Sequence, residues 1–171
     1  MSGPDLSGTP APYRRSPSDR HVLDASTRQD LGVFIRRCFA TVSPASEYLH
    51  NWHIDAIAHH LELVRLGEIK RLIITMPPRS LKSICASVAF PAWLLGHDPS
   101  RRIICASYAQ ELSATLANQF RAVLASEWYM RTFPRTRIDP SKNTEIEVMT
   151  TSRGSRFATS SAAPLPGAAA V

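Results

Sequence analysis

The stretch "RLIITMPPRSLKS", residues 71–83, decides how the fold of this chain is interpreted. Its first five residues, "RLIIT", are a short apolar, β-branched run of the kind that forms a buried strand. The rest, "MPPRSLKS", lies ahead of "SICASVAFPAWLLG", which has the length of a helix and ends at Gly96. A loop that leaves a strand and opens a helix favours anion binding, because the first N–H groups and the dipole of the helix attract negative charge.

The loop contains part of the pattern of a phosphate-binding loop. Such a loop needs inward N–H groups, a lysine for the β and γ phosphates and a hydroxyl for Mg²⁺, and Lys82 and Ser83 have the required adjacency. Met76 and Leu81 stand where the usual pattern has glycine. A left-handed backbone at Leu81 would cost on the order of 1 kcal/mol. The alternative is a plain loop with a solvated lysine.

Apolar residues at helical spacing predict two helices ahead of this loop. The first follows a capping box of Ser26 and Gln29, and the second runs from Trp52 to Leu66 with Gly67 as its C-terminal cap. The order strand, loop, helix, strand, helix predicts an α/β fold with a parallel sheet. Beyond the loop the patterns predict a second buried strand, a long helix and a hairpin, at residues 101–108, 109–129 and 145–159.

Composition predicts one domain, residues 24–160, and a disordered tail over residues 1–23, which are rich in Pro, Ser and Gly. No run approaches the length of a membrane-spanning helix and no secretory signal is recognisable, so we expect a cytoplasmic protein with no membrane contact. The three cysteines lack metal-ligand spacing and are expected to be buried free thiols. A net charge of +6 favours a polyanionic partner such as nucleic acid.

Two long runs resemble a known family. The runs "YLHNWHIDAIAHHLELVRLGEIKRLIITMPPRSLKS" and "IICASYAQELSATLANQFRAVLASEWYMRTFP" resemble the N-terminal ATPase domain of large terminase subunits, the motors that package DNA into phage heads. The resemblance covers residues 33–160 and implies a three-layer P-loop NTPase-type core with a mainly parallel sheet, incomplete at its C-terminus. It also implies ATP and Mg²⁺ as cofactors. The implied partners are double-stranded DNA, the portal and the small terminase subunit, in an oligomeric ring.

The resemblance assigns a role to each part of the loop. It implies that Lys82 binds the β and γ phosphates of ATP and that Ser83 holds Mg²⁺. Arg79 is the candidate catalytic residue, because it resembles the arginine that stabilises charge developing on the γ phosphate in such motors. The remaining residues of the cofactor-binding loop are Pro78, Ser80 and Leu81.

Trp52 and His53 occupy the place where the resemblance puts adenine recognition. The aromatic face of Trp52 would stack on the base, whereas the alternative is that Trp52 packs into the core where its helix begins. The histidines His50, His53, His59 and His60 do not have the spacing of a zinc site, and we expect them to be surface or packing residues.

The end of the chain departs from the family. ATP hydrolysis in this fold needs a strand that ends in an acidic pair, and none follows Thr159. One choice of codons for Ser161 to Ala170, read with one added leading base, translates as Val-Gly-Gly-Thr-Leu-Thr-Gly-Arg-Gly-Gly, which is the sequence that the resemblance leads us to expect there. We therefore expect residues 161–171 to be a frameshifted, non-native tail on a fragment that lacks the acidic strand and the nuclease domain and is deficient in hydrolysis.

Two other functions fit the same residues. One is a fragment of a helicase-like P-loop ATPase, which would have the same type of phosphate loop. The other is a remnant that binds DNA or a partner subunit without nucleotide. A titration with Mg-ATP separates the second from the first, because only a nucleotide-binding protein responds to it.

Overall fold

The computed structural model describes residues 17–144 and 146–160, so the tail expected at 161–171 lies outside it. Over these residues the chain is a mixed helix and strand protein. Its helices are α1 Pro17–Gln29, α2 Leu31–Val42, α3 Trp52–Leu66, α4 Phe90–His97, α5 Gln110–Ala125 and α6 Glu127–Thr132. Its strands are β1 Arg102–Ser107, β2 Ile138–Asn143, β3 Glu147–Thr150 and β4 Ser155–Ser160. A π-helical segment, Ile84–Ala89, leads directly into α4 and is called the π segment below.

Helices α2 and α3 form as their apolar spacing predicts. Helix α3 begins and ends at the predicted residues, and Gly67 caps it with a left-handed φ of 81° that suits a residue without a Cβ atom. The capping box of Ser26 and Gln29 is not the start of α2. That start is Asp30, whose side chain accepts a hydrogen bond from the N–H of Val33 at 3.0 Å. The buried side of α2 consists of Leu31, Phe34, Ile35, Cys38 and Phe39.

Helix α1 corrects the prediction of a disordered tail over residues 1–23. Residues 17–23 are helical, while residues 1–16 lie outside the described part of the chain. Polar contacts attach this helix to the rest of the molecule, since Asp24 pairs with Arg37 at 2.8 Å and with Arg131 at 3.3 Å. Composition reflects local apolar content, so it misses a helix that is held by ion pairs to distant elements.

The four strands form one mixed sheet in the order β1-β4-β3-β2. Strands β1 and β4 are parallel, whereas β4 with β3 and β3 with β2 are antiparallel. The predicted hairpin therefore forms, with Val148 opposite Arg156, but the prediction of a mainly parallel sheet is wrong. Connection length explains the difference: helices α5 and α6 lie between the parallel strands, and short turns join the others.

Residues 71–75 do not form the strand predicted for them. Leu72 and Ile74 are partly buried against the core, whereas Ile73 between them is 91% exposed. In the described part of the chain no strand pairs with this segment, and an extended segment becomes a strand only through hydrogen bonds to a neighbour. Strand β1 lies at the edge of the sheet with Ile104 60% exposed, so the prediction that it is buried on both faces is also wrong.

The core fixes the helix that follows the loop. Trp93 on α4 and Tyr129 on α6 are almost completely buried, and the Tyr129 hydroxyl donates a hydrogen bond to the carbonyl of Ala92 at 2.8 Å. The three cysteines are free thiols, with Cys38 and Cys85 buried and Cys105 partly buried, which agrees with the sequence. None of the described helices combines the length and the apolar character needed to cross a membrane.

Candidate functional site

Two residues of the loop Met76–Ser83, called loop 76–83 below, have a left-handed backbone. The φ angle is 64° at Arg79 and 61° at Leu81. Leu81 occupies the position at which a phosphate-binding loop usually has glycine, and glycine is favoured there because it adopts positive φ without steric cost. Leu81 thus departs from the usual residue type while its backbone has the conformation that glycine provides.

The side chain of Leu81 explains how a leucine is tolerated there. It is partly buried and packs against the main hydrophobic core. Together with Phe39, Leu49 and Ile54 it lines a pocket of about 200 Å³ between the loop and helices α2 and α3. Burying a leucine side chain fully is worth about 1.5–3 kcal/mol. Even partial burial therefore offsets much of a left-handed strain of about 1–2 kcal/mol.

A pair of substitutions separates strain from packing at Leu81. Leu81→Gly and Leu81→Ala both remove the packed side chain, but only glycine relieves the left-handed strain. We expect Leu81→Gly to be more stable than Leu81→Ala by about 1 kcal/mol, measured by urea unfolding. At an ordinary position glycine is the less stable of the two by about 0.5–1 kcal/mol. An alanine variant more stable than the glycine variant would show that φ at Leu81 is not left-handed.

Lys82 closes the loop on itself. Its Nζ donates a hydrogen bond to the carbonyl of Met76 at 2.7 Å, across six residues of chain. The side chain is partly buried, so the ammonium group lies over the loop and is not extended into solvent. This contact joins the first residue of loop 76–83 to Lys82 near the end of the loop, and it holds the positive charge against the loop backbone.

The start of the following helix supplies backbone donors. Lys82 and Ser83 are the first helical residues, and the N–H of Cys85 donates to the carbonyl of Leu81 at 2.9 Å. The backbone N–H groups of the residues before Cys85 have no acceptor within the helix, as is usual for the first turn of a helix. Ser83 is exposed and its hydroxyl makes no capping hydrogen bond. The hydroxyl is therefore available to a ligand at the helix N-terminus.

Ser80 and Pro78 differ in what they offer to a ligand. The Oγ atom of Ser80 is buried and has no hydrogen-bond partner among the described residues. Leaving a buried polar atom unpaired costs about 1–3 kcal/mol, so the position suits a bound group that supplies a partner. Pro78 is exposed and has no N–H to donate, so it lines the loop without contributing a hydrogen bond there.

Trp52 and His53 lie beside loop 76–83. Trp52 is 75% exposed on the first turn of α3, so the alternative that it packs into the core is wrong. The two side chains line a cleft of about 230 Å³ together with Met76 and Ile73. His53 also lines the pocket that contains Arg79, Ser80 and Leu81. The predicted base-recognition residues and the predicted phosphate loop are thus neighbours in space.

Arg79 is exposed on the loop. The pocket that it lines also includes Glu47, an acidic residue that sequence reasoning did not select. Glu47 lies in the connection between α2 and α3, far from the loop in sequence. No spacing pattern links it to Arg79, so only the fold reveals their proximity.

Metal binding by protein side chains alone has no support in the described residues. No group of three or more His, Cys, Asp or Glu side chains lies close enough to hold an ion there. His50 contacts Asp55 at 3.0 Å and the Nδ1 atom of His60 contacts the carbonyl of Ala56 at 2.7 Å. For Mg²⁺ the loop itself offers the hydroxyl of Ser83, so a bound ion would depend on phosphate oxygens for other ligands.

Comparison with protein-family models, with curated proteins and with solved structures finds no match to this chain. The geometry of loop 76–83 and the cleft beside Trp52 therefore carry the functional argument.

Proposed function

We propose that this chain is the nucleotide-binding part of the ATPase domain of a phage or prophage large terminase subunit. The observation that carries the proposal is the closed form of loop 76–83, in which Lys82 bonds to Met76 and Leu81 has a glycine-like backbone. A plain connecting loop needs neither feature. The proposal includes the three-layer core of P-loop NTPases, of which the described residues would form a part.

Each side chain has a proposed contact with Mg-ATP. Lys82 would pair with the β and γ phosphates through a charge-assisted hydrogen bond, and the N–H groups at the helix start would hold phosphate oxygens. Trp52 would stack on adenine, with His53 between the base and the phosphates. Bound Mg²⁺ would neutralise phosphate charge, with Ser83 as its protein ligand. Arg79 is exposed at the loop and would reach the γ phosphate.

Binding without efficient hydrolysis is the proposed activity. Water attack on the γ phosphate needs a carboxylate that orients the water. In residues 17–144 and 146–160 no strand ends in an acidic pair, and the acid that shares a pocket with Arg79 is Glu47, which is exposed and lies on a connection. The proposed partners follow the family: double-stranded DNA, for which the net charge of +6 is suitable, the portal, the small terminase subunit and other copies in a ring.

Isothermal titration with Mg-ATP tests the proposal through Lys82→Ala. The substitution removes a charge-assisted hydrogen bond worth about 1.5–3 kcal/mol. We therefore expect affinity to fall by about 10- to 100-fold. Lys70→Ala is the matched control, because Lys70 is exposed and lies outside the loop, and its affinity should stay within about twofold of the wild type.

Two results would contradict the proposal. The wild type would show no heat of binding at millimolar Mg-ATP, or Lys82→Ala would bind as tightly as the wild type. The first result would favour a remnant that binds DNA or a partner without nucleotide. A helicase-like ATPase would give the same titration as a terminase, and binding to portal protein would separate those two.

A further inference from the structure

Arg156 is a buried cation without an acidic partner. Its side chain lies on β4 and only 1% of the residue is exposed. Among the described residues no aspartate or glutamate pairs with it. Cys105 on β1 is a polar neighbour, but burial raises the pKa of this thiol, so it is not a thiolate that would neutralise the guanidinium at neutral pH. A buried charge is costly unless specific contacts compensate it, which calls for a physical reason to retain it.

The contacts of Arg156 point to the helix that follows loop 76–83. Its Nη2 donates a hydrogen bond to the carbonyl of Ser87 at 3.2 Å, and its guanidinium carbon lies 4.9 Å from the centre of the Phe120 ring. Ser87 belongs to the π segment, and Phe120 belongs to α5. One arginine therefore links the sheet to the segment that begins just after Ser83.

Pro91 affects the donor that the carbonyl of Ser87 would have in an α-helical register. In an α-helix the carbonyl of Ser87 would accept from the N–H of the residue four places later, which is Pro91. Proline has no N–H, so that bond is absent. Arg156 donates to this carbonyl, which would have no donor at residue 91 in the α register. A proline inside a helix removes one backbone hydrogen bond and crowds the preceding turn, and the π segment Ile84–Ala89 lies in that turn.

The register of the π segment determines where the loop residues face. The N–H of Phe90 donates to the carbonyl of Cys85, five residues earlier, where an α-helix would use the carbonyl four residues earlier. One extra residue in a turn rotates everything before it by about 100° relative to an uninterrupted α-helix. Lys82 and Ser83 lie immediately before this turn, so their direction depends on it.

We propose that Arg156 is a positioning residue, which holds the π register by bonding to Ser87 and thereby directs Lys82 and Ser83 toward the ligand of loop 76–83. The second half of this inference rests on the proposed nucleotide-binding function. The first half, the control of helix register by a residue on the sheet, is independent of any ligand.

Hydrogen exchange and nucleotide titration test the two halves separately. In Arg156→Met, which removes the donor but keeps a long side chain, peptides covering residues 82–90 should exchange at least about fivefold faster than in the wild type. Mg-ATP affinity should fall by about tenfold or more at a temperature where the variant is folded. The matched control is Val148→Ala, since Val148 is buried directly opposite Arg156 on β3 and makes no bond to Ser87.

A further substitution ties the effect to the missing N–H. Pro91→Ala supplies a donor for the carbonyl of Ser87, so Arg156→Met in that background should change exchange of residues 82–90 by less than about twofold. Unchanged exchange in Arg156→Met alone, or the same change in Val148→Ala, would overturn the inference. If Arg156→Met does not fold, Arg156→Lys takes its place with a smaller expected increase of about twofold, and no increase would overturn the inference equally.

The two proposals fail in different ways. A wild-type chain that does not bind Mg-ATP refutes the proposed function but leaves the exchange result to decide the role of Arg156. A chain that binds Mg-ATP equally well with arginine or methionine at this position refutes the positioning role and leaves the function intact.

Discussion

Replacing Gly154 by alanine is expected to lower the free energy of unfolding by about 3 kcal/mol, because the added methyl group has no room. A Cβ atom there would overlap the backbone carbonyl oxygen of Pro99 and would lie 2.7 Å from that of Arg101. Both obstacles are backbone atoms, so neither moves aside as a flexible side chain would. The same turn attaches β4 to β1, because the N–H of Ser155 donates to the carbonyl of Arg101 at 2.9 Å.

Urea unfolding followed by circular dichroism measures this effect, and Gly32→Ala is its control. An added Cβ at Gly32 would meet Asp30 Oδ1 at 3.1 Å, so the side chain would shift by a few tenths of an ångström and weaken its cap on Val33, a cost of about 1 kcal/mol at most. Alanine also favours helix by about 1 kcal/mol over glycine, so Gly32→Ala should remain within about 1 kcal/mol of the wild type. Equal stability of Gly154→Ala and the wild type would mean that the turn does not pack against Pro99.

Removing the carboxylate of Asp24 is expected to cost about 3 kcal/mol, because it leaves the largely buried Arg37 guanidinium without its acidic partner. The side chains of Asp24 and Arg37 are 10% and 16% exposed and their atoms are 2.8 Å apart. Arg131, at 47% exposed, is screened by solvent and adds less. In Asp24→Ala the helix α1 should separate from α2, which thermal unfolding and exchange of residues 17–29 would both detect.

An exposed polar contact provides the matched control for Asp24. His50 and Asp55 lie 3.0 Å apart with side chains 58% and 60% exposed, so Asp55→Ala should cost less than about 1 kcal/mol. Similar losses in Asp24→Ala and Asp55→Ala would refute the idea that α1 is held by a desolvated pair.

The carboxylate of Asp24 also makes the free energy of unfolding depend on pH in the acidic range. Burial raises the pKa of Asp24, but hydrogen bonds from Arg37 and Arg131 outweigh it and leave the pKa below its ordinary value. A lowered pKa in the folded state means that the stabilisation is complete above the ordinary value of about 4 and is lost as pH falls through the lowered one. Wild-type stability should therefore decline below about pH 4 more steeply than that of Asp24→Ala.

Periodicity predicts the helices of this chain better than its sheet. The spacing of Leu31, Phe34 and Phe39 gives α2 its buried side, because a helix forms its backbone hydrogen bonds within itself. A strand depends on a neighbour elsewhere in the chain, and residues 71–75 have strand-like composition but no such neighbour among the described residues. Helix α1 shows the opposite error, because composition predicts disorder where a helix forms. Asp24 holds that helix through its pairs with Arg37 on α2 and Arg131 on α6.

The site shows the same division between local and distant effects. Adjacency in sequence is enough to select Lys82 and Ser83 as candidate ligand-binding residues. The sequence also shows that leucine replaces glycine at position 81, and the φ of 61° shows that the backbone there is left-handed all the same. Packing of Leu81 on the core, the proximity of Glu47 and the bond from Arg156 all arise from contacts between elements. No spacing rule encodes them, so sequence patterns do not reveal them.

The exposure of Trp52 gives the chain a spectroscopic property of its own. Of its three tryptophans, Trp93 is 1% exposed and Trp128 is covered by the guanidinium of Arg37 at 4.5 Å from its ring. A collisional quencher such as iodide therefore reaches the Trp52 indole first, and the remaining emission comes from the buried Trp93 and the half-buried Trp128. The fluorescence of Trp52, which lines the cleft, thus reports whether a ligand occupies the cleft, without any attached dye.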